Sequence, residues 1–363
     1  MSERVIRVAI AGQGRSGFDI HARWLRQAPQ QYRIVAVADL IPARRAQAKK
    51  EFGCRTCKTW EQLVQDHDYD LFINALPSPF HPKVAIAALK AGHNTVCEKP
   101  LAVKVRDFDA MVAASRASGK LLACFQNSRF MPFFGKIQEV IASGVLGEIL
   151  HARINQSGYA RRWDWQTRQE LWGGNLNNAG PHPLDHAVML FGDRTPKVLG
   201  KLFSGPNSFG DADDFALVVL HGKAAPTIEV LVSSYQAWPQ GDAYSVNGAR
   251  GGLAGGRGGL KWRHFDPKKA PKQRLHRDWS VNRAYCGEQL PWVEESWTPP
   301  KQVLGEFDYI AKCFYDNVHG ALVMGGKLVV TPDQVRRQIA VIEECHRQNP
   351  LPKLPVKRAA ARK

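Results

Sequence analysis

The chain has 363 residues, of which 44% are apolar. That is more than one ordinary domain needs and enough to bury two cores. No run approaches the ~20 consecutive apolar residues of a membrane span. Residues 1–14 pass directly into a strand-like stretch with no signal peptide ahead of it, so the sequence predicts a cytoplasmic protein without a membrane partner. Lys and Arg outnumber Asp and Glu by 50 to 33, a formal net charge of +17. Part of that charge sits in the tail, residues 351–363, which reads as a solvated end. No nucleic-acid motif accompanies the charge, and no nucleic-acid partner is expected. An acidic or phosphorylated substrate is compatible with it. Cys54 and Cys57 stand two apart with no second pair at metal spacing, and read as ordinary thiols beside a short strand.

Residues 1–127 alternate between short apolar runs and helical stretches. The runs are 5–11 (VIRVAIA), 34–38 (IVAVA), 71–76 (LFINAL), 95–97 and 121–125. Continuous apolar strands of this kind suit a parallel sheet covered on both faces. Pro42 opens a helix that Gly53 closes, Thr59 and Gln62 form a capping box, and Pro82 starts a helix ending near Gly92. This is the βα alternation of a doubly wound α/β domain, with a Rossmann sheet. From residue 128 to about 350 a helix (132–143) leads into alternating strands at 149–157, 198–204, 215–221 and 227–234. They predict a second α/β domain with a large, mostly antiparallel open sheet. The glycine-dense stretch 248–259 reads as hairpin turns or a flexible loop rather than a phosphate cradle, because no strand–glycine–helix context surrounds it. Helices over 301–318 and 331–348 close the chain.

Gly12-Gln13-Gly14-Arg15-Ser16-Gly17 is a G-x-G-x-x-G, preceded by a strand and followed by a helix-compatible stretch. The first glycine permits the turn, the second lets backbone amides approach a pyrophosphate, and the third lets helix and strand pack closely. Asp39 ends the next strand, 22 residues beyond Gly17. Its carboxylate can accept bonds from the adenosine ribose hydroxyls and would repel a 2′-phosphate, which favours NAD over NADP. Arg44 and Arg45 follow one helical turn on and would soften that preference.

Further along come Ala75-Leu76-Pro77-Ser78-Pro79-Phe80-His81, Cys97-Glu98-Lys99-Pro100-Leu101, Asn127-Ser128-Arg129-Phe130, and the segment from Gly173-Gly174 through Asn178, Gly180 and His182 to Asp185. With the glycine fingerprint, these resemble the Gfo/Idh/MocA family, the glucose–fructose oxidoreductase and inositol dehydrogenase group, over nearly the whole chain. The resemblance implies an NAD(P)-dependent dehydrogenase acting on the CH–OH group of a sugar, glycoside or cyclitol. It places Gly12, Gly14, Asp39, Leu76, Pro77, His81, Glu98 and Asn127 on the cofactor side and Lys99 and His182 at the two main catalytic positions. It also implies homodimers or homotetramers formed through the open sheet. One departure stands out: the family's acidic residue four before the histidine is Asn178 here.

Removing a hydroxyl proton as hydride leaves calls for a base. Histidine, with an ordinary pKa of about 6.5, suits that task, whereas lysine at about 10.4 is charged unless its environment depresses it. His182 is therefore assigned as base and Lys99 as the residue that orients and polarises the reacting oxygen; the reverse assignment stays open. Asn178 or Asp185 would be the partner of His182. Tyr159, Arg162 and Trp165 supply aromatic faces and multidentate donors that suit a polyhydroxylated substrate. His182, Asp185 and His186 share one helical face, but no zinc motif accompanies them and no metal is expected. Two other readings stay in view: a redox-neutral enzyme that recycles bound NAD during glycoside cleavage or epimerisation, and a non-catalytic sugar or dinucleotide sensor.

Overall fold

The computed structural model describes residues 4–239, 241–275, 285–301 and 305–354. The first sheet is six-stranded: β1 Ile6–Ala11, β2 Tyr32–Ala38, β3 Arg55–Cys57, β4 Leu71–Asn74, β5 Asn94–Cys97 and β6 Leu122–Cys124. The spatial order is β3-β2-β1-β4-β5-β6, with every pair parallel. The order reverses between β1 and β4, so the carboxyl ends of these two strands open a crevice. The five apolar runs are five of these strands. The sixth, β3, is Arg-Thr-Cys and carries almost no hydrophobic signal, because it is an edge strand with exposed and half-buried side chains. The helix Pro42–Phe52 ends on Gly53 at φ +61°, and Thr59 and Gln62 form the capping box. After the fingerprint the chain does not enter an ordinary α-helix. Ser16–Ala22 is wound as a π-helix, followed by a short α-helix at Arg23–Gln27.

The second sheet has eight strands: β7 Ile149–Asn155, β8 Lys197–Phe203, β9 Phe215–His221, β10 Thr227–Ser233, β11 Tyr244–Gly248, β12 Gly251–Gly256, β13 Gly259–His264 and β14 Val293–Trp297. Their order is β14-β13-β12-β11-β7-β10-β9-β8, antiparallel throughout except between β7 and β10. Of the two readings of the glycine-dense stretch, the hairpin turns hold and the flexible loop does not. The stretch is strand β12 between two hairpin turns, and backbone crowding explains the glycines: a Cβ on Gly251 would lie 2.2 Å from the carbonyl oxygen of Arg263.

One face of this sheet is covered by the helices Pro132–Ala142, Pro181–Phe191 and Pro332–Gln348. Phe134, Ile137, Leu184, Val188, Phe191 and Ile342 interdigitate with Ile154, Val218, Val230 and Val246 in one core. The opposite face stays open, with Leu199 60% exposed and Phe203 38% exposed upon it. Of the two closing helices, the first runs Glu306–Met324, starting and ending later than the sequence reading placed it; part of the expected start, residues 302–304, lies outside the described residues. Its Ala311, Phe314, Tyr315 and Val318 join the core of the parallel sheet, beside Ile6, Ile10, Tyr32 and Val37. The second, Pro332–Gln348, packs Val335 and Ile339 against Phe108 and Met111 and sends Val341, Ile342 and Cys345 into the core of the second sheet, so it ties the two sheets together. Residues 355–363 of the basic tail lie outside the described residues. No helix among the described residues is long and apolar enough to cross a membrane.

Candidate active site

The carboxyl ends of β1, β2, β4 and β5 and a wall of the second domain enclose a cleft of about 700 Å³. The glycine turn forms its dinucleotide end. Gly12 has φ +94°, and a Cβ there would meet the carbonyl oxygen of Ala75 at 2.5 Å. A Cβ on Gly17 would lie 1.9 Å from the oxygen of Gly12, so helix and strand touch backbone to backbone. Above Gly14 there is open space up to the Arg44 guanidinium at 4.0 Å. That is the uncovered backbone a pyrophosphate requires, and the residues present fit a dinucleotide. Gln13 contributes through its backbone: its N–H donates to Asp39 Oδ2 at 2.8 Å, while its side chain is buried and bonds Gly12. Asp39 Oδ1 accepts the N–H of Ile41 at 2.8 Å. These bonds fix the carboxylate at the mouth of the crevice. Arg44 lies 3.5 Å from it, and Arg45 is spent on the carbonyls of Asp39 and Leu40.

Leu76, Pro77, His81, Glu98 and Lys99 line the middle of the cleft. His81 is buried between the carbonyl oxygens of Pro100 (2.7 Å) and Leu76 (2.8 Å), and so braces the end of β4 against the segment after β5. Glu98 is buried with Oε1 3.2 Å from His21 Nε2, and its Oε2 accepts the N–H of Lys99 at 3.0 Å. His21 in turn bonds the Tyr315 hydroxyl at 2.6 Å. Burial alone would raise the Glu98 pKa, but the adjacent His21 and the neighbouring charges hold it below its ordinary value. The sequence reading did not single out His21 or Tyr315. The signal present was a histidine four residues beyond Gly17, with nothing to say which way it pointed.

Lys99 crosses to the second domain and donates to the backbone oxygen of Asn178 at 2.7 Å, with the Asn178 side-chain oxygen at 3.5 Å. Burial, then the charges of Arg15 and Arg162, push its pKa down against the opposing effect of Glu98. Asn178 sits at the end of a four-residue helical turn whose start is held by Asp213, which accepts the N–H of Leu176 at 2.8 Å. Asp213 is thus a further supporting residue that the sequence pattern did not reveal.

The His182 ring makes no hydrogen bond to Asn178 or Asp185, the two partners expected for it. Its Nδ1 lies 3.1 Å from the hydroxyl of Ser128, and the ring is not among the groups lining the cleft. Asn178 Oδ1 instead accepts from Gln166 at 3.0 Å. Asp185 points into the core and forms a two-pronged pair with Arg129, at 2.7 and 2.6 Å, both side chains at most 4% exposed. One helical turn separates Asp185 from His182 along the chain, but the buried guanidinium claims the carboxylate. His186 is likewise committed, to the Tyr244 hydroxyl (2.6 Å) and the carbonyl oxygen of Ser128 (3.0 Å), with its ring stacked on Phe134. The three side chains of that helical face therefore serve separate interactions. Burial first, and the charge of Lys99 second, push the His182 pKa down to about 3.

Arg162, Trp165 and Trp172 line the second-domain wall. Arg162 donates to Asp164 at 2.7 Å and to Gln166. Tyr159 does not reach the cleft; it is 60% exposed and bridges to Tyr235. Asn127 is buried in the turn Asn127–Phe130 and is also outside the lining. Arg15 and Ser16 are in it.

Residues 6–126 match the oxidoreductase family with an NAD-binding Rossmann fold named for GFO, IDH and MocA, and residues 134–254 match the C-terminal domain of the same family. The chain belongs to the Gfo/Idh/MocA family of oxidoreductases. It is 26% identical, over 95% of its own length and 96% of the other's, to an uncharacterized oxidoreductase of Schizosaccharomyces pombe. It is 28% identical to a 2,7-anhydro-N-acetylneuraminate hydratase of Escherichia coli, over 69% of this chain and 67% of that one. It is 26% identical to a scyllo-inositol 2-dehydrogenase (NADP(+)) of Bacillus subtilis, over 60% of each. The fold matches an aldose-aldose oxidoreductase from Caulobacter crescentus, solved with glycerol, at a TM-score of 0.75 and 20% identity, over 97% of this chain and all of that one.

Proposed function

We propose that this oxidoreductase oxidises a secondary hydroxyl of a sugar-like molecule with NAD. The observation that carries the reading is Lys99: it leaves the dinucleotide wall beside the glycine cradle and reaches Asn178 on the opposite wall of the same cleft. A molecule between cradle and second domain would meet this amine. Bound in the cradle, a nicotinamide supplies the hydride acceptor. The chain's own residues handle the proton and the orientation. A sugar hydroxyl can displace the carbonyl oxygen of Asn178 as the partner of Lys99 Nζ. Burial and the charges of Arg15 and Arg162 favour the neutral amine, which is the form that can take the hydroxyl proton. His182 does not line the cleft, and burial pushes its pKa down, which makes it the weaker candidate for that step. It is neutral across the range of about pH 5 to 8 and serves as a hydrogen-bonding group steadied by Ser128. We therefore favour Lys99 over His182 for the proton-transfer role, the alternative that the sequence left open.

This has a pH signature. A lysine that must be neutral to act gives a rate that rises with pH through its own pKa. Glu98 favours the charged form, so Glu98→Gln should move the acid limb of kcat/KM to lower pH. A limb that stays in place would remove Lys99 as the titrating base.

NAD is the proposed cofactor, since Asp39 is held where a 2′-phosphate would meet a carboxylate. Asp39→Ala should narrow the gap in kcat/KM between NAD and NADP, and a wild-type preference for NADP would sink the assignment. The relatives named as hydratases favour a second reading, since hydration has no net redox change: the same residues would act around a recycled cofactor. The open, partly apolar sheet face bearing Leu199 and Phe203 supports a homodimer or homotetramer.

A further inference from the structure

The charges of the cleft do not balance at its substrate end. Asp39, Glu98 and Asp164 are the carboxylates that line it, and each is already engaged. Asp39 accepts two backbone N–H groups, and Glu98 faces His21 and the N–H of Lys99. Asp164 takes Arg162 and the N–H of Gln166. The cations are less committed. Lys99 Nζ meets only the neutral oxygens of Asn178. Arg15, exposed on the dinucleotide wall, makes no ion pair among the described residues. Arg162 on the opposite wall sends both Nε and Nη2 to one oxygen of Asp164, in a pair exposed enough to be weak. Arg15, Lys99 and Arg162 all line this one cleft, the first two on the dinucleotide wall and the third opposite. Asn178 borders that cleft without adding a negative charge.

We propose that the molecule oxidised here is an anionic sugar or polyol, whose carboxylate or phosphate lies close to the reacting hydroxyl and is clamped between Arg162 and Arg15. This rests on the hydride-transfer reading and narrows its substrate class. An anion there answers both guanidinium charges at once, and a guanidinium offers it two parallel donors.

The test is calorimetric binding to the full-length enzyme saturated with NADH, in zwitterionic buffer. The probes are matched pairs: D-glucuronate against D-glucose, D-gluconate against sorbitol, and glucose 6-phosphate against glucose. At least one acid should bind about tenfold or more tightly than its neutral parent, as charge-assisted bonds require. Added salt should shrink the ratio. Arg162→Gln should bring it near one, while Arg162→Lys retains part of it. The pair that discriminates tells carboxylate from phosphate. Parents that bind as well as every acid, or a ratio that survives Arg162→Gln, overturn the proposal. Turnover is read separately on the same panel. Acid-selective binding without NADH formation would remove the hydride-transfer reading and leave the clamp. Equal or better oxidation of the neutral parents would do the reverse.

Discussion

Lys99→Ala should lower kcat by about 10²-fold or more while NAD affinity stays close to wild type. The amine spans from the dinucleotide wall to the second domain, through its bond to Asn178. The glycine turn and Asp39, which would hold the dinucleotide, are built from other residues and keep their bonds without it. Lys99→Met, which retains the length and bulk of the stem, should be nearly as slow as the alanine variant, because the missing element is the nitrogen and not the packing. Steady-state rates with fluorescence titration of NADH separate the two effects. Near wild-type turnover in either variant would take Lys99 out of the chemistry, whereas loss of NADH binding would make it a structural residue of the cradle.

The second large effect is on stability. Asp185 and Arg129 are almost fully buried and share two short bonds, with Arg129 also donating to Gln334 at 2.9 Å on the last helix. Removing one partner leaves an uncompensated charge in the core, at a cost of about 3–5 kcal/mol. Asp185→Asn and Arg129→Leu should each show that loss in urea unfolding. The double replacement by leucine should recover much of it, since an apolar pair of similar volume is often neutral. The expected kinetic effect of Asp185→Asn on properly folded enzyme is small. An Asp185→Asn protein of unchanged stability and collapsed kcat would put the carboxylate back in the reaction.

These two residues mark where sequence reading succeeds and where it stops. Strands β1, β2 and β4 to β6 were legible because a strand buried on both faces must be apolar along its length. The glycine turn was legible because positive φ and backbone contact leave one residue type able to serve. Strand β3 was not, being a polar edge, nor was β12, whose glycines look like a loop until Arg263 is seen packed across the sheet. The positions of Lys99, Glu98 and Asp39 in the cleft were readable from motifs. Their partners were not. Asp185 and His182 are one turn apart, which permits contact but does not decide it; Arg129, 56 residues away, does. Ser128 and His21 reach the site only through tertiary packing, and a single sequence holds no periodicity that reports this.

The most direct test of the central claim is stoichiometric. The wild-type enzyme, supplied with NAD and a panel of sugars, polyols and sugar acids, is followed by nicotinamide absorbance while the organic product is quantified in parallel. Oxidation of a secondary hydroxyl predicts one NADH formed for each ketone product, with both signals falling together in Lys99→Ala. Product that accumulates while NADH stays at its starting level would contradict the dehydrogenase reading and show a cofactor that is recycled within the cleft.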